Sequence, residues 1–127
     1  MSIVGRVLKT RHFARWQRGT ELTDKSLCNA VLEMERGLID ADLGGGLFKK
    51  RVALPGRGKS GGARTLVATN RSDRWIFVYG FEKNERENID TVELRSLKSY
   101  AQAVLSLSTA QVTSFVNNGS FLEICDE

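Results

Sequence analysis

The sequence predicts an α+β fold: a small antiparallel β-sheet with N-terminal helices packed on it and C-terminal helices closing the chain. Three observations lead there. Apolar residues recur at helical spacing before residue 40 and again after residue 90. Between them, residues 47–54, 64–69 and 74–81 form short runs rich in β-branched and aromatic side chains, separated by turn residues. No repeat, linker or low-complexity segment interrupts the 127 residues, so one domain over residues 1–127 is expected.

Each element has a local reason. Residues 3–8 read as a first strand, and 12–18 as a short helix with Phe13 and Trp16 on one side. A second helix begins after Thr23, which suits the N-cap. Asp24 complements the helix dipole and Leu22 can staple to Leu27. Leu27, Ala30, Val31, Met34 and Leu38 then mark its core face. Asp42–Gly46 reads as a flexible loop. On the 47–54 strand, Phe48, Val52 and Leu54 share the buried parity, while Lys49 and Arg51 project together from the other face. Asn70–Asp73 is a hairpin connection. Asp90 with Glu93, and Ser108 with Gln111, have capping-box spacing ahead of two helices. Leu94, Leu97, Ala101, Val104 and Leu105 form the apolar stripe of the first. Gly119 ends the second, and residues 121–125 read as a short extended tail.

Composition excludes several classes. An apolar fraction of 41% marks a globular chain. No apolar run approaches the ~20 residues of a membrane helix, and residues 1–10 lack a secretory signal pattern. Cys28 and Cys125 match no metal spacing and read as two free thiols in a reducing cytoplasm. The net charge of +4 conceals segregation. Residues 1–19 carry five basic and no acidic side chains, residues 20–42 are acidic, and residues 43–72 contain no Asp or Glu. That last stretch holds Lys49, Lys50, Arg51, Arg57, Lys59, Arg64 and Arg71 around a glycine-rich turn. Clustered cations of this kind attract a phosphate backbone, although a solvated basic face is the plain alternative.

The motifs narrow the chemistry. Gly58-Lys59-Ser60 is not a phosphate-binding P-loop, because Ala53 occupies the required upstream glycine and a strand, not a helix, follows. His12 is the sole histidine and reads as a structural or surface residue, so neither a histidine pair nor a Ser-His-Asp set is available. Trp16, Trp75, Phe77 and Tyr79 read as core or sheet-face residues. Phe81 ends its strand beside charged residues and can stack on a base.

Five stretches stand in order: 13–16 (FARW), 34–46 (MERGLIDADLGGG), 49–53 (KKRVA), 58–66 (GKSGGARTL) and 77–89 (FVYGFEKNERENI). Together, over roughly residues 6–124, they resemble the HigB-like branch of the RelE/ParE toxins of bacterial type II toxin–antitoxin systems. The resemblance implies a RelE-like fold and a cytoplasmic, ribosome-dependent endoribonuclease that cuts translated mRNA without a cofactor. It implies an antitoxin carrying a helix-turn-helix domain, with DNA contacted only through that partner. It also implies site residues. Lys49 and Arg51 match the paired basic residues of RelE-like sites, Arg64 the arginine of a Gly-x-Arg element, and Lys83 lies in a further catalytic segment. Lys50, Arg57, Lys59, Phe81 and Arg86 follow as secondary RNA or ribosome contacts. The chain departs from RelE at Asn84 and Asp90, where RelE has an arginine and its catalytic tyrosine. The proton-transfer residue therefore does not carry over, and Lys83, Glu85 or a perturbed lysine stay open. A non-catalytic binding homologue and a gyrase inhibitor on the same fold are the alternatives.

Overall fold

The computed structural model describes residues 5–56, 58–83 and 88–125, with the backbone alone for Lys59 and Ser60. Strand β1 (Arg6–Thr10) leads into helix α1 (Arg11–Arg18) and helix α2 (Asp24–Glu35). Strands β2 (Ala41–Gly44), β3 (Leu47–Leu54), β4 (Gly58–Thr69) and β5 (Arg74–Glu82) follow. Helices α3 (Thr91–Leu105) and α4 (Thr109–Asn117) and strand β6 (Phe121–Ile124) complete the order. The fold is α+β, as the sequence predicts.

The strands form one sheet of six in the order β2-β3-β4-β5-β1-β6. All pairs are antiparallel except β1 with β5, which run parallel. An all-antiparallel sheet was the expectation. The chain between β1 and β5 contains two helices and a three-strand meander, long enough for the crossover that a parallel pair needs. Two segments expected as loops are strands. Ala41–Gly44 pairs with β3, turning through Gly44, Gly45 and Gly46, all at positive φ. Gly58–Gly62 opens β4, and Gly62 is tied to a glycine by packing: a Cβ there would run into the Val52 carbonyl of β3.

Two cores lie on opposite faces of the sheet. On one, Phe13 of α1 and Leu27, Ala30, Val31 and Met34 of α2 cover Val52, Ala63, Val67, Trp75 and Phe77. On the other, Ala101 and Val104 of α3 and Val112 of α4 cover Leu47, Ala68, Ile76 and Phe121. The capping residues act as the sequence predicts: Thr23, Asp90 and Ser108 accept from the amides of Ser26, Glu93 and Gln111. The full reciprocal box is present at Ser108–Gln111. Leu38 departs from its expected burial and is 52% exposed, because α2 ends at Glu35 and Gly37 turns the chain at φ +90°.

The two cysteines are not free. Cys28 on α2 and Cys125 just beyond β6 form a disulfide across 97 residues, with their Cα atoms 5.6 Å apart. The sheet brings them together: β6 returns antiparallel to β1, which ends it beside the α2 face. Among the described residues, no helix is long and apolar enough to cross a membrane.

Candidate nucleic-acid interface

Antiparallel pairing aligns β3, β4 and β5 in rows. Leu47–Ala68–Ile76 is the first row, Lys49–Leu66–Tyr79 the second and Arg51–Arg64–Phe81 the third. Directly opposed side chains of an antiparallel pair share a face and stand about 5 Å apart. The first row is sealed beneath α3. Beyond the reach of that helix the same face opens, with Lys49 half-buried and Arg51 exposed. One sheet face therefore grades from apolar core to cationic surface within five residues of β3.

Arg64 stands directly opposite Arg51. Its side chain is largely buried, 8% exposed, and its Nη1 donates to the Gly62 carbonyl at 3.2 Å. A like-charged pair at this register opposes strand pairing. The planar Arg64 fork is thus held on the sheet, next to the exposed Arg51. Lys83, exposed, follows β5 at the same end, one residue past the Ala63–Glu82 pair.

Lys50 and Phe81 are corrections to the expected contacts. Lys50 is 2% exposed, and its Nζ donates to Glu33 Oε1 and to the Leu38 carbonyl, both at 2.8 Å. It has the parity of Phe48 and Val52, which points it into the α2 side of the sheet. Phe81 is 2% exposed and sits beside Tyr79, with ring centroids 6.4 Å apart. It supports the face from within and offers no free ring to a base. Arg57, Arg86 and the Lys59 side chain lie outside the described residues.

Sequence reasoning missed a second group on this face. A register shift between Leu66 and Val67 breaks the alternation of β5, so that Val78 and Tyr79 both turn toward α3. Tyr79 stacks on His12 at the start of α1, with ring centroids 5.7 Å apart and an interplanar angle of 13°. Its hydroxyl donates to Glu93 Oε2 of α3 at 3.3 Å. These groups border an open cavity of about 550 Å³ that Arg11, Leu97 and Tyr100 also line. Partial burial raises the Tyr100 phenol above its ordinary pKa. A bulge is not legible in the residues, so the alternation of β5 gave no signal for Tyr79.

The rows explain what the site can do chemically. Cations fixed on a rigid sheet can hold a polyanion and stabilise charge that grows on a phosphate, and they need not supply a nucleophile. A search of the curated proteins returned no match. The family model for the RelE toxin of the RelE/RelB toxin–antitoxin system matches residues 5–124. That match takes in both cores, the three rows and the disulfide's α2 end, and the chain belongs to the RelE toxin family.

Proposed function

We propose that this chain is a HigB-like, ribosome-dependent mRNA endonuclease acting in the cytoplasm. The 2′-hydroxyl of the message attacks the adjacent phosphate, and the protein orients the backbone and neutralises developing charge. The observation that carries this reading is the Arg51–Arg64 register with Lys49 one row away on the same face. Three cations converging on one sheet face suit a phosphate better than they suit one another. Arg64 supplies a planar fork to the non-bridging oxygens, Lys49 and Arg51 neutralise the backbone, and Lys83 completes the cationic end.

Family membership implies a cognate antitoxin. We take that partner to carry a helix-turn-helix domain and an acidic segment that covers the cationic face. Cleavage depends on the ribosome because the protein's own contribution is charge and orientation, which requires the message to be presented in an attack-ready geometry. The test is induction of the chain alone, followed by mapping of mRNA 5′ ends. New cuts at A-site codons, growth arrest and rescue by the adjacent antitoxin are expected. DNA damage without cuts would turn the reading to gyrase, and unimpaired growth at verified expression would remove toxicity altogether.

A further inference from the structure

Helix α1 carries a charge pattern that the proposed cleavage face does not use. Arg11, Arg15 and Arg18 are exposed and follow one another at intervals of four and three residues, so they share one face of the helix. Phe13, Ala14 and Gln17 point the other way and are buried. The outward arginines extend over roughly 10 Å at about 1.5 Å per residue, and no aliphatic side chain lies among them. Residues 1–19 contain no Asp or Glu. Among the described residues, none of the three arginines forms an ion pair. The pattern is unfavourable for the helix itself. Like charges at this spacing repel, and Arg11 in the first turn opposes the helix dipole. Arg15 and Arg18 suit the dipole at the other end, whereas Arg11 gains nothing from its place.

We propose that this arginine stripe is a second RNA-binding surface, which tracks the phosphate backbone beside the cleavage rows. The proposal deepens the endonuclease reading and rests on it for RNA as the polyanion. Placement supports it. Phe13 packs on Phe77 with ring centroids 5.4 Å apart, and Trp16 lies against Gly80. Helix α1 therefore runs along β5 towards Phe81 of the Arg51–Arg64 row, and a strand held at that row has the helix as its neighbour. Residue type supports it too. Three arginines and no lysine offer planar forks that take two oxygens of one phosphate, and they keep their charge at any physiological pH. The same face argues against other anionic partners. A protein interface buries an apolar centre inside its polar rim, and a membrane-surface helix inserts apolar side chains. The apolar side chains Phe13 and Ala14 of α1 are already buried in the core.

The test is binding of the full chain to labelled 2′-O-methyl RNA, single-stranded and duplex, across a salt series. That backbone lacks the attacking hydroxyl, so binding is read without cleavage. Log affinity falls against log salt by about 0.7 per phosphate contact on a single strand and about 0.9 on a duplex. Arg11→Gln/Arg15→Gln/Arg18→Gln should therefore flatten the slope by about 2 on a single strand or about 3 on a duplex, and each single variant by about a third of that. Lys25→Gln/Arg36→Gln/Arg95→Gln removes the same charge from exposed positions elsewhere and should keep the wild-type slope. All six positions are exposed, so both triple variants should melt like wild type. No RNA binding by wild type, an unchanged slope in the stripe triple, or an equal loss in the control triple would overturn the proposal. So would a stripe triple that loses affinity for polyglutamate but not for RNA, which would assign the face to an acidic protein segment. Loss of slope in a chain that makes no cuts on ribosomes supports the stripe and refutes the nuclease. Ribosomal cleavage by a chain whose stripe triple binds RNA like wild type leaves the nuclease standing and refutes the stripe.

Discussion

Adjacent lysines on β3 have opposite fates, and the difference is physical. Lys49 emerges on the open face, whereas Lys50 is enclosed with Glu33 at 2.8 Å. Removing one partner of a buried pair strands the other, but Glu33 keeps 26% side-chain exposure and can rehydrate. Lys50→Ala should therefore cost about 2–3 kcal/mol, below the full penalty of a buried pair. Lys49→Ala should stay within about 0.5 kcal/mol of wild type and reduce cleavage instead. Urea unfolding of both variants beside ribosome cleavage assays separates the two roles. In the proposed function Arg64 combines them. With its side chain largely buried, Arg64→Ala should lose on the order of a hundredfold or more in single-turnover rate, with a lowered melting temperature. Arg64→Lys should keep more of the stability than of the rate, because a point charge does not reproduce the fork. A well-folded Arg64→Ala that cuts at the wild-type rate would remove this residue from the site. Lys49 and Arg51 were legible because alternation separates faces. The same alternation put Lys50 with Phe48 and Val52, while its charge argued for the surface. Phe81 was misjudged because charged sequence neighbours say nothing of the strands beside it.

At the scale of elements, helices and their caps were legible, since each is specified by residues within one or two turns. Strand β2, the parallel β1–β5 pair and the β5 bulge were not, because partners distant in sequence define them. Two close approaches test the packing. A Cβ at Gly80 would enter the Trp16 ring, so Gly80→Ala must displace that ring from β5. The expected cost is about 1–3 kcal/mol, with a shift in tryptophan emission as Trp16 moves. An unchanged melting temperature would show that the Trp16 ring yields freely. The second test is electrostatic. Arg6 on β1 donates through Nε and Nη2 to Glu123 on β6, each at 2.9 Å. That hydrogen bond, against the opposing effect of burial, holds the Glu123 carboxyl below its ordinary value. The depressed value means the pair stabilises the fold above the ordinary carboxylate range and ceases to do so as pH falls through the folded value. Both side chains are 28% exposed, so the contribution is screened. Glu123→Gln should lower the melting temperature near neutral pH, and the gap from wild type should close as pH falls through the depressed value of the folded Glu123 carboxyl. A gap independent of pH would assign the loss to packing.

For the whole molecule, the decisive feature is the Cys28–Cys125 bond, which ties the acidic helix α2 to the far edge of the sheet. Its absence from the sequence expectation has a plain cause: a separation of 97 residues carries no spacing signal, and only the return of β6 to β1 brings the sulfurs together. A cross-link over so long a loop restricts the unfolded chain strongly, by about 4–5 kcal/mol in the loop-entropy view. Both cores cover the sheet without it, so the reduced chain should remain folded and lose stability only. That matters if the chain acts in the cytoplasm, as proposed above, where thiols are held reduced. We expect oxidised wild type to unfold at a higher urea concentration than either reduced wild type or the Cys28→Ser/Cys125→Ser variant, with the latter two coinciding. The slope of free energy against urea should also rise on reduction, because the uncrosslinked chain exposes more surface when it unfolds. Coincident midpoints for all three would show that the bond adds nothing to stability. A reduced chain without a cooperative transition would show that the two cores do not suffice, and that the toxin needs its partner or its disulfide to fold.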